Sequence, residues 1–139
     1  MKKVLFFSIL LLSCSHPSLE NRVNEYIKVM TALTHDKAMS KAAIKDFLDP
    51  AGNRDSLAED YYNYWMRNDG QNSYSMKAKI NSIEYKNETA LVKIEDVWHM
   101  PDETYERFVS ETEWIKKNGT WYRSATPGRL VERNAVDRP

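Results

Sequence analysis

The apolar period of this chain changes once, near Gly70, and that change constrains the fold more than any other feature. Before it, apolar residues recur at helical spacing. Leu19, Val23, Tyr26, Ile27, Met30 and Leu33 form one stripe, with Ser18 placed to cap it and Glu20 in the first turn. A second helix is expected from Asp36 to Leu48, with Met39, Ala43, Phe47 and Leu48 as its apolar positions, stopped by Asp49-Pro50-Ala51-Gly52-Asn53. A third starts near Asp55 or Ser56, where Ser56-Leu57-Ala58-Glu59 has the form of a capping box. Its stripe is Leu57, Tyr61, Tyr64 and Trp65, so Tyr62 and Asn63 are expected to point away from the core. Asp69-Gly70 ends it, with Gly70 suited to a left-handed cap.

After Gly70 the period is two. Tyr74, Met76, Ala78 and Ile80 alternate with polar residues, and then Ile83 and Tyr85 carry the apolar side. A change of parity inside a strand marks a bulge, and a bulge bends a sheet. Lys86-Asn87-Glu88-Thr89 is a turn; a second strand runs from Ala90 to about Met100, with another shift expected before Val97. A third spans about Thr104–Lys117. Asn118-Gly119 is a type I′ hairpin signal, and Thr120–Ser124 returns. From Pro127 the chain reads as a polar tail.

Helices first and strands afterwards define an α+β class: N-terminal helices packed on a curved, bulged antiparallel sheet of about four strands. The length, 139 residues, suits one domain, and no internal repeat or low-complexity segment divides it. Hydrophobic residues at 42% exclude a disordered class. Twenty basic and twenty acidic residues, interleaved, exclude a strongly basic nucleic-acid binder. One Cys excludes an internal disulfide and a multi-thiolate metal site.

The first residues read as an address. Lys2 and Lys3 precede Val4–Leu12, a run apolar except for Ser8. Nine residues at about 1.5 Å each are too short for a hydrocarbon core about 30 Å thick, as expected of a secretory signal peptide. Leu11-Leu12-Ser13-Cys14 resembles the lipobox of bacterial lipoproteins. The resemblance implies cleavage after residue 13, diacylglyceryl and acyl groups on Cys14, and membrane attachment through that lipid. Ser15, where an Asp would favour inner-membrane retention, implies the outer membrane if the envelope is Gram-negative. The expected organisation is therefore 1–13 signal peptide, 14–18 lipidated tether, 19–126 one domain and 127–139 tail. Losing residues 1–13 removes two lysines and no acid, which takes the net charge from zero to −2.

Glu113-Trp114-Ile115-Lys116-Lys117-Asn118-Gly119-Thr120-Trp121-Tyr122 resembles the last hairpin of the NTF2-like, cystatin-like superfamily of cone-shaped α+β domains. The order of helices and long bent strands over residues 19–126 is similar too. That fold hosts isomerases, dehydratases and many modules without activity, so it does not fix a function. The resemblance implies a pocket on the concave side of the sheet. Candidate lining residues are Tyr61, Trp65, Tyr74, Asp96, Trp98, His99 and Trp121. The same aromatic residues equally suit a small packed core.

Asp96 and His99 could act as a proton-transfer pair, with His99 as base. Residues three apart on a strand point to opposite faces, however, which leaves His99 as a rim residue beside the acidic turn Asp102-Glu103 unless a bulge intervenes. Glu111 and Glu113 share one strand face with Arg107; a solvated face answered by neighbouring basic residues suits them better than acid–base work. No metal or cofactor is expected, and no phosphate loop or nucleophile motif occurs. Asn87 and Asn118 begin glycosylation sequons, but turn chemistry explains both.

These readings converge on a membrane-anchored envelope lipoprotein with a non-enzymatic binding or interaction module, its partner a protein or a small apolar ligand. The alternatives are a small-molecule isomerase- or dehydratase-like enzyme using the concave pocket, and a structural or immunity-type partner of another envelope protein.

Overall fold

The computed structural model describes residues 16–33, 36–69 and 74–139, without the side chains of residues 65–69 and 74–76. Cys14 with the stretch that resembles a lipobox, and the cap expected at Gly70, lie outside the described residues. No helix among the described residues is long and apolar enough to cross a membrane.

α1 spans Leu19–Thr31, and Ser18 Oγ accepts the Asn21 N–H at 3.2 Å. Its stripe Leu19, Val23, Tyr26 and Met30 is buried. α2, Lys37–Lys45, is capped by Asp36, which accepts the Met39 N–H at 3.0 Å. It ends three residues before the expected Leu48. Residues 46–48 turn toward the sheet instead, where the Arg123 N–H donates to the Phe47 carbonyl at 2.7 Å and the Asp49 N–H to the Arg123 carbonyl at 3.0 Å. A nine-residue helix has room for one short stripe, and here it is Ser40–Ile44. Met39, expected on the apolar side, is 59% exposed.

α3 covers Arg54–Asp69. Its cap is Asn53 rather than Ser56: Asn53 Oδ1 accepts the Ser56 N–H at 3.2 Å, and its carbonyl accepts the Leu57 N–H. Glu59 is drawn outward to Lys37 and Lys41 of α2 instead of closing the expected box. The buried row is Ala58 and Tyr62, the reverse of the expected orientation. That row meets α2, with Lys37 Nζ 5.6 Å from the Tyr62 ring centre. Leu57 and Tyr61 are half-buried, and Tyr64 is 62% exposed.

The sheet contains β1 (Tyr74–Lys86), β2 (Thr89–His99), β3 (Tyr105–Lys117), β4 (Thr120–Arg123) and β5 (Arg129–Val136). The order is β1-β2-β3-β4, all pairs antiparallel. β5 shares the outer edge of β3 with β4: β4 takes Trp114–Lys117, and β5 takes Tyr105–Glu111. The residues expected as a tail are thus a fifth strand. Its side chains are almost all exposed, so ladder bonds and ion pairs hold it. Arg133 donates twice to Glu106, at 2.6 and 3.0 Å, while Arg129 meets Glu111 at 3.1 Å and Glu132 meets Arg107 at 2.8 Å.

β1 carries two bulges against β2, between Ser75 and Lys77 and between Ile80 and Ser82. The second is the parity change read between Ile80 and Ile83. β2 has no shift before Val97: it pairs with β3 in unbroken register from Thr89–Ile115 to His99–Tyr105. The irregularity at that level belongs to β1, where Met76 is the extra residue. All even residues of β2 from Ala90 to Trp98 therefore share one face. The turns follow the expected chemistry, with positive φ at Asn87 and at both Asn118 and Gly119. The core joins α1, the α2–β4 junction and the sheet; Trp114 is fully buried, and Tyr26 stands edge-on between Trp114 and Phe47 at 5.6 and 5.7 Å.

Candidate functional site

β1 bends at its two bulges with α1 packed against it, while α3 packs on α2. Between α1, α3 and the sheet lies a cavity of about 780 Å³, within the range of about 300–1,000 Å³ of small-molecule sites. α1 supplies Tyr26, Ile27 and Met30; α3 supplies Leu57, Tyr61 and Tyr64; the sheet supplies Ala78, Ile94, Trp98, Phe108, Ser110 and Thr112. Leu130 and Arg133 of β5 stand at its rim.

Most of the lining is apolar or aromatic, and several polar groups enter it, Asp60 and Asn63 of α3 among them. Asp96 does so because β2 has no bulge of its own, and its Oδ2 accepts the Trp98 indole N–H at 2.7 Å. Thr112 Oγ1 accepts the Trp114 indole N–H at 3.1 Å. Arg123 forms part of the wall and is 4% exposed. Its guanidinium carbon lies 4.3 Å from the Tyr61 ring centre and 5.9 Å from that of Tyr26. Nε and Nη1 are buried, and among the described residues no group accepts a hydrogen bond from either.

The other buried arginine, Arg22, is fully engaged. It stacks over Phe47 at 4.2 Å, donates through Nε to the Trp121 carbonyl at 3.4 Å and through Nη2 to the Asp46 carbonyl at 2.5 Å, and pairs with the Asp46 carboxylate at 3.0 Å. Arg22 ties α1 to the α2–β4 junction; Arg123 presents donors without such partners.

Of the candidate residues, Tyr61, Asp96 and Trp98 line the cavity. His99 faces the other side of β2, pairs with Glu103 at 3.1 Å and lies 5.1 Å from the Tyr105 ring, so Asp96 and His99 form no dyad. Trp121 belongs to the core, edge-on to Tyr85 at 6.1 Å. The side chains of Trp65 and Tyr74 lie outside the described residues. Glu111 and Glu113 sit opposite the cavity: Glu111 pairs with Arg129 and Lys93, and Glu113 accepts from Thr126 at 3.2 Å. On that same outer face, hydrogen bonding from Arg107 holds Glu95 below the usual carboxylate range. Among the described residues no cluster of three or more His, Cys, Asp or Glu could hold a metal ion. Sequence reading passed over Arg123. Its signal was parity, since Arg123 shares the inward row of β4 with Trp121.

No protein-family model and no curated relative matches the chain by sequence. Solved structures do match it in shape. A SEC-C motif containing protein from Rhodopseudomonas palustris superposes with a TM-score of 0.60 at 17% identity, over 83% of this chain and 80% of its own. A protein named as an NTF2 variant with five substitutions gives 0.54 at 17% identity, over 78% of this chain and 96% of its own. A de novo designed NTF2 fold protein gives 0.47 at 19% identity, over 81% and 90%. The chain has the NTF2-like α+β fold, with helices on a curved antiparallel sheet. At these identities the likeness defines the fold and no activity.

Proposed function

We propose that this chain is a lipid-anchored envelope protein whose NTF2-like domain is a non-enzymatic binding module for a small apolar molecule. The observation that carries the binding half is the aromatic-lined cavity of about 780 Å³ between α1, α3 and the concave sheet. The lipobox match at Leu11–Cys14 and the short apolar run before it support the anchor and the envelope address.

Two experiments test the halves separately. Protein purified from envelopes is extracted with organic solvent and the extract analysed by mass spectrometry, beside Ser110→Trp, which fills the cavity. A molecule retained by the wild type and lost in the variant supports the module; no retained molecule in either counts against it. Metabolic labelling with a fatty acid, comparing wild type with Cys14→Ser, tests the anchor: the label should disappear, and equal label on both chains removes that half.

One observation favours a second reading, an isomerase- or dehydratase-like enzyme: the carboxylate of Asp96 enters the cavity, where a proton-transfer base would stand. Asp96→Asn would abolish turnover in that case, whereas in the binding reading the variant retains its ligand and no turnover exists to lose.

A further inference from the structure

We infer that Arg123 selects the ligand of this cavity: an apolar molecule bearing one oxyanion, a carboxylate or a phosphate, bound with that group on the guanidinium. The inference rests on the binding reading above and narrows it to a chemical class.

A guanidinium stays charged in proteins. Burying it is costly unless its charge is paired and its N–H groups are hydrogen-bonded. Arg22 shows how this chain meets that requirement elsewhere, with two carbonyls and a carboxylate. Arg123 is more deeply buried, 4% against 9% exposed, yet Nε and Nη1 have no acceptor among the described residues. The rings of Tyr61 and Tyr26 stabilise the cation and fix its position through their faces. Ring faces do not replace oxygen acceptors, so these N–H groups are left unsatisfied in the wall of the cavity that Arg123 lines, and because both atoms are enclosed an oxyanion meets them through a local shift of that wall.

Two further details locate the head and the body of such a molecule. The chain passes over the guanidinium at Gly128, where a Cβ would fall 3.2 Å from Arg123 Nη2 and 3.3 Å from Thr112 Cγ2. Any larger residue at 128 would press on the guanidinium. Asp96 stands away from it: Arg123 pairs with Trp114 and Asp96 with Phe108, separated along β3 by roughly 20 Å of strand at about 3.3 Å per residue, and the Phe108 level also carries Arg133, which Glu106 engages, while Asp60 lines the cavity from α3. With the head on Arg123, the apolar body lies along Ile94, Trp98 and Phe108.

The test titrates the full chain with two probes of one ring system, anilinonaphthalenesulfonate and its neutral parent phenylnaphthylamine. Wild type should bind the sulfonate at least about tenfold more tightly than the neutral probe. Arg123→Met should erase that preference while leaving phenylnaphthylamine within about twofold, and Arg123→Lys should keep part of it. Neutral binding without a sulfonate preference overturns the anion inference and leaves the cavity reading intact. Failure of both probes to bind overturns the cavity reading itself. Should Arg123→Met not fold, wild type alone decides by competition against the bound neutral probe: decanoate or decyl phosphate should displace it about tenfold more effectively than decanol, and whichever acid is stronger identifies the head. Equal displacement by acid and alcohol refutes the inference.

Discussion

α3 presents its tyrosines in an order opposite to the one its apolar spacing suggests, and two truncations measure that reversal. Tyr62 is 7% exposed and Tyr64 62%. An aromatic side chain buries roughly 150–250 Å², worth about 4–6 kcal/mol at about 25 cal/mol per Å². That is an upper bound, since the unfolded chain already covers about 10–40% of such surface. Tyr62→Ala should therefore cost about 3–4 kcal/mol, within the range observed for buried aromatic truncations. The contact with Lys37 adds little, because that lysine is half in solvent. Tyr64 borders the cavity, so its removal opens no new void, and Tyr64→Ala should cost under about 1 kcal/mol. Urea unfolding followed by tryptophan fluorescence reads both. The Tyr62 variant should lose midpoint at an unchanged slope and melt at least about 10 °C lower. Equal losses, or a larger loss at Tyr64, would refute the packing of α3 against α2.

Gly119→Val should destabilise the domain by about 1 kcal/mol or more in the same assay, because φ is +82° at Gly119 and its new Cβ would also fall 2.6 Å from the His16 ring; Gly119→Asn, which tolerates that φ, should cost less. Hydrogen bonds from Lys37, then Lys41, pull Glu59 from 4.5 to about 2. Its folded-state value lies below the unfolded one, so the contribution to stability is full above about 4.5 and is lost as pH falls through about 2. Glu59→Gln should accordingly lose less stability than wild type between about pH 6 and pH 3, as read by urea midpoints at both values. Arg133→Ala should speed amide exchange of β5 by a few-fold or about tenfold, leaving α1 unchanged; equal exchange in both chains would show that the ladder to β3 holds β5 without the Glu106 pair.

What the sequence made legible was what apolar spacing encodes. Ser18 caps its helix, the second helix begins at about the expected Asp36, the Ile80–Ile83 parity change is a bulge, and Asn118-Gly119 is the expected turn. These features are local: each can be recognised from a few neighbours in the chain. α3 misled because its tyrosines are amphipathic and sit on several faces, so spacing alone could not choose between a row meeting α2 and a row meeting the cavity. β5 was illegible for a different reason. Arg129, Glu132 and Arg133 find their partners on β3, 18 to 27 residues back in the chain, and a strand held by cross-strand charge has no inward apolar row to read.

The cavity is illegible for a reason that bears on the function. A hydrophobic pattern reports which faces turn inward, not whether the facing surfaces meet. Here the sheet bends at Asn81 and Met76, the extra residues of β1, while α3 spends its best-packed row on α2. Leu57, Tyr61, Ile94, Trp98 and Phe108 all turn inward and still border open space. The polar groups in that space follow from the same geometry. Asp96 is inward because β2 keeps its register, and Arg123 because β4 must alternate with Trp121 inside. A domain that packed this region solely for stability would fill it with aliphatic side chains and would place neither charge there. Arg123, ordered by two tyrosine rings yet with two nitrogens lacking acceptors among the described residues, is the feature of the fold that packing does not explain and from which the anion inference is drawn.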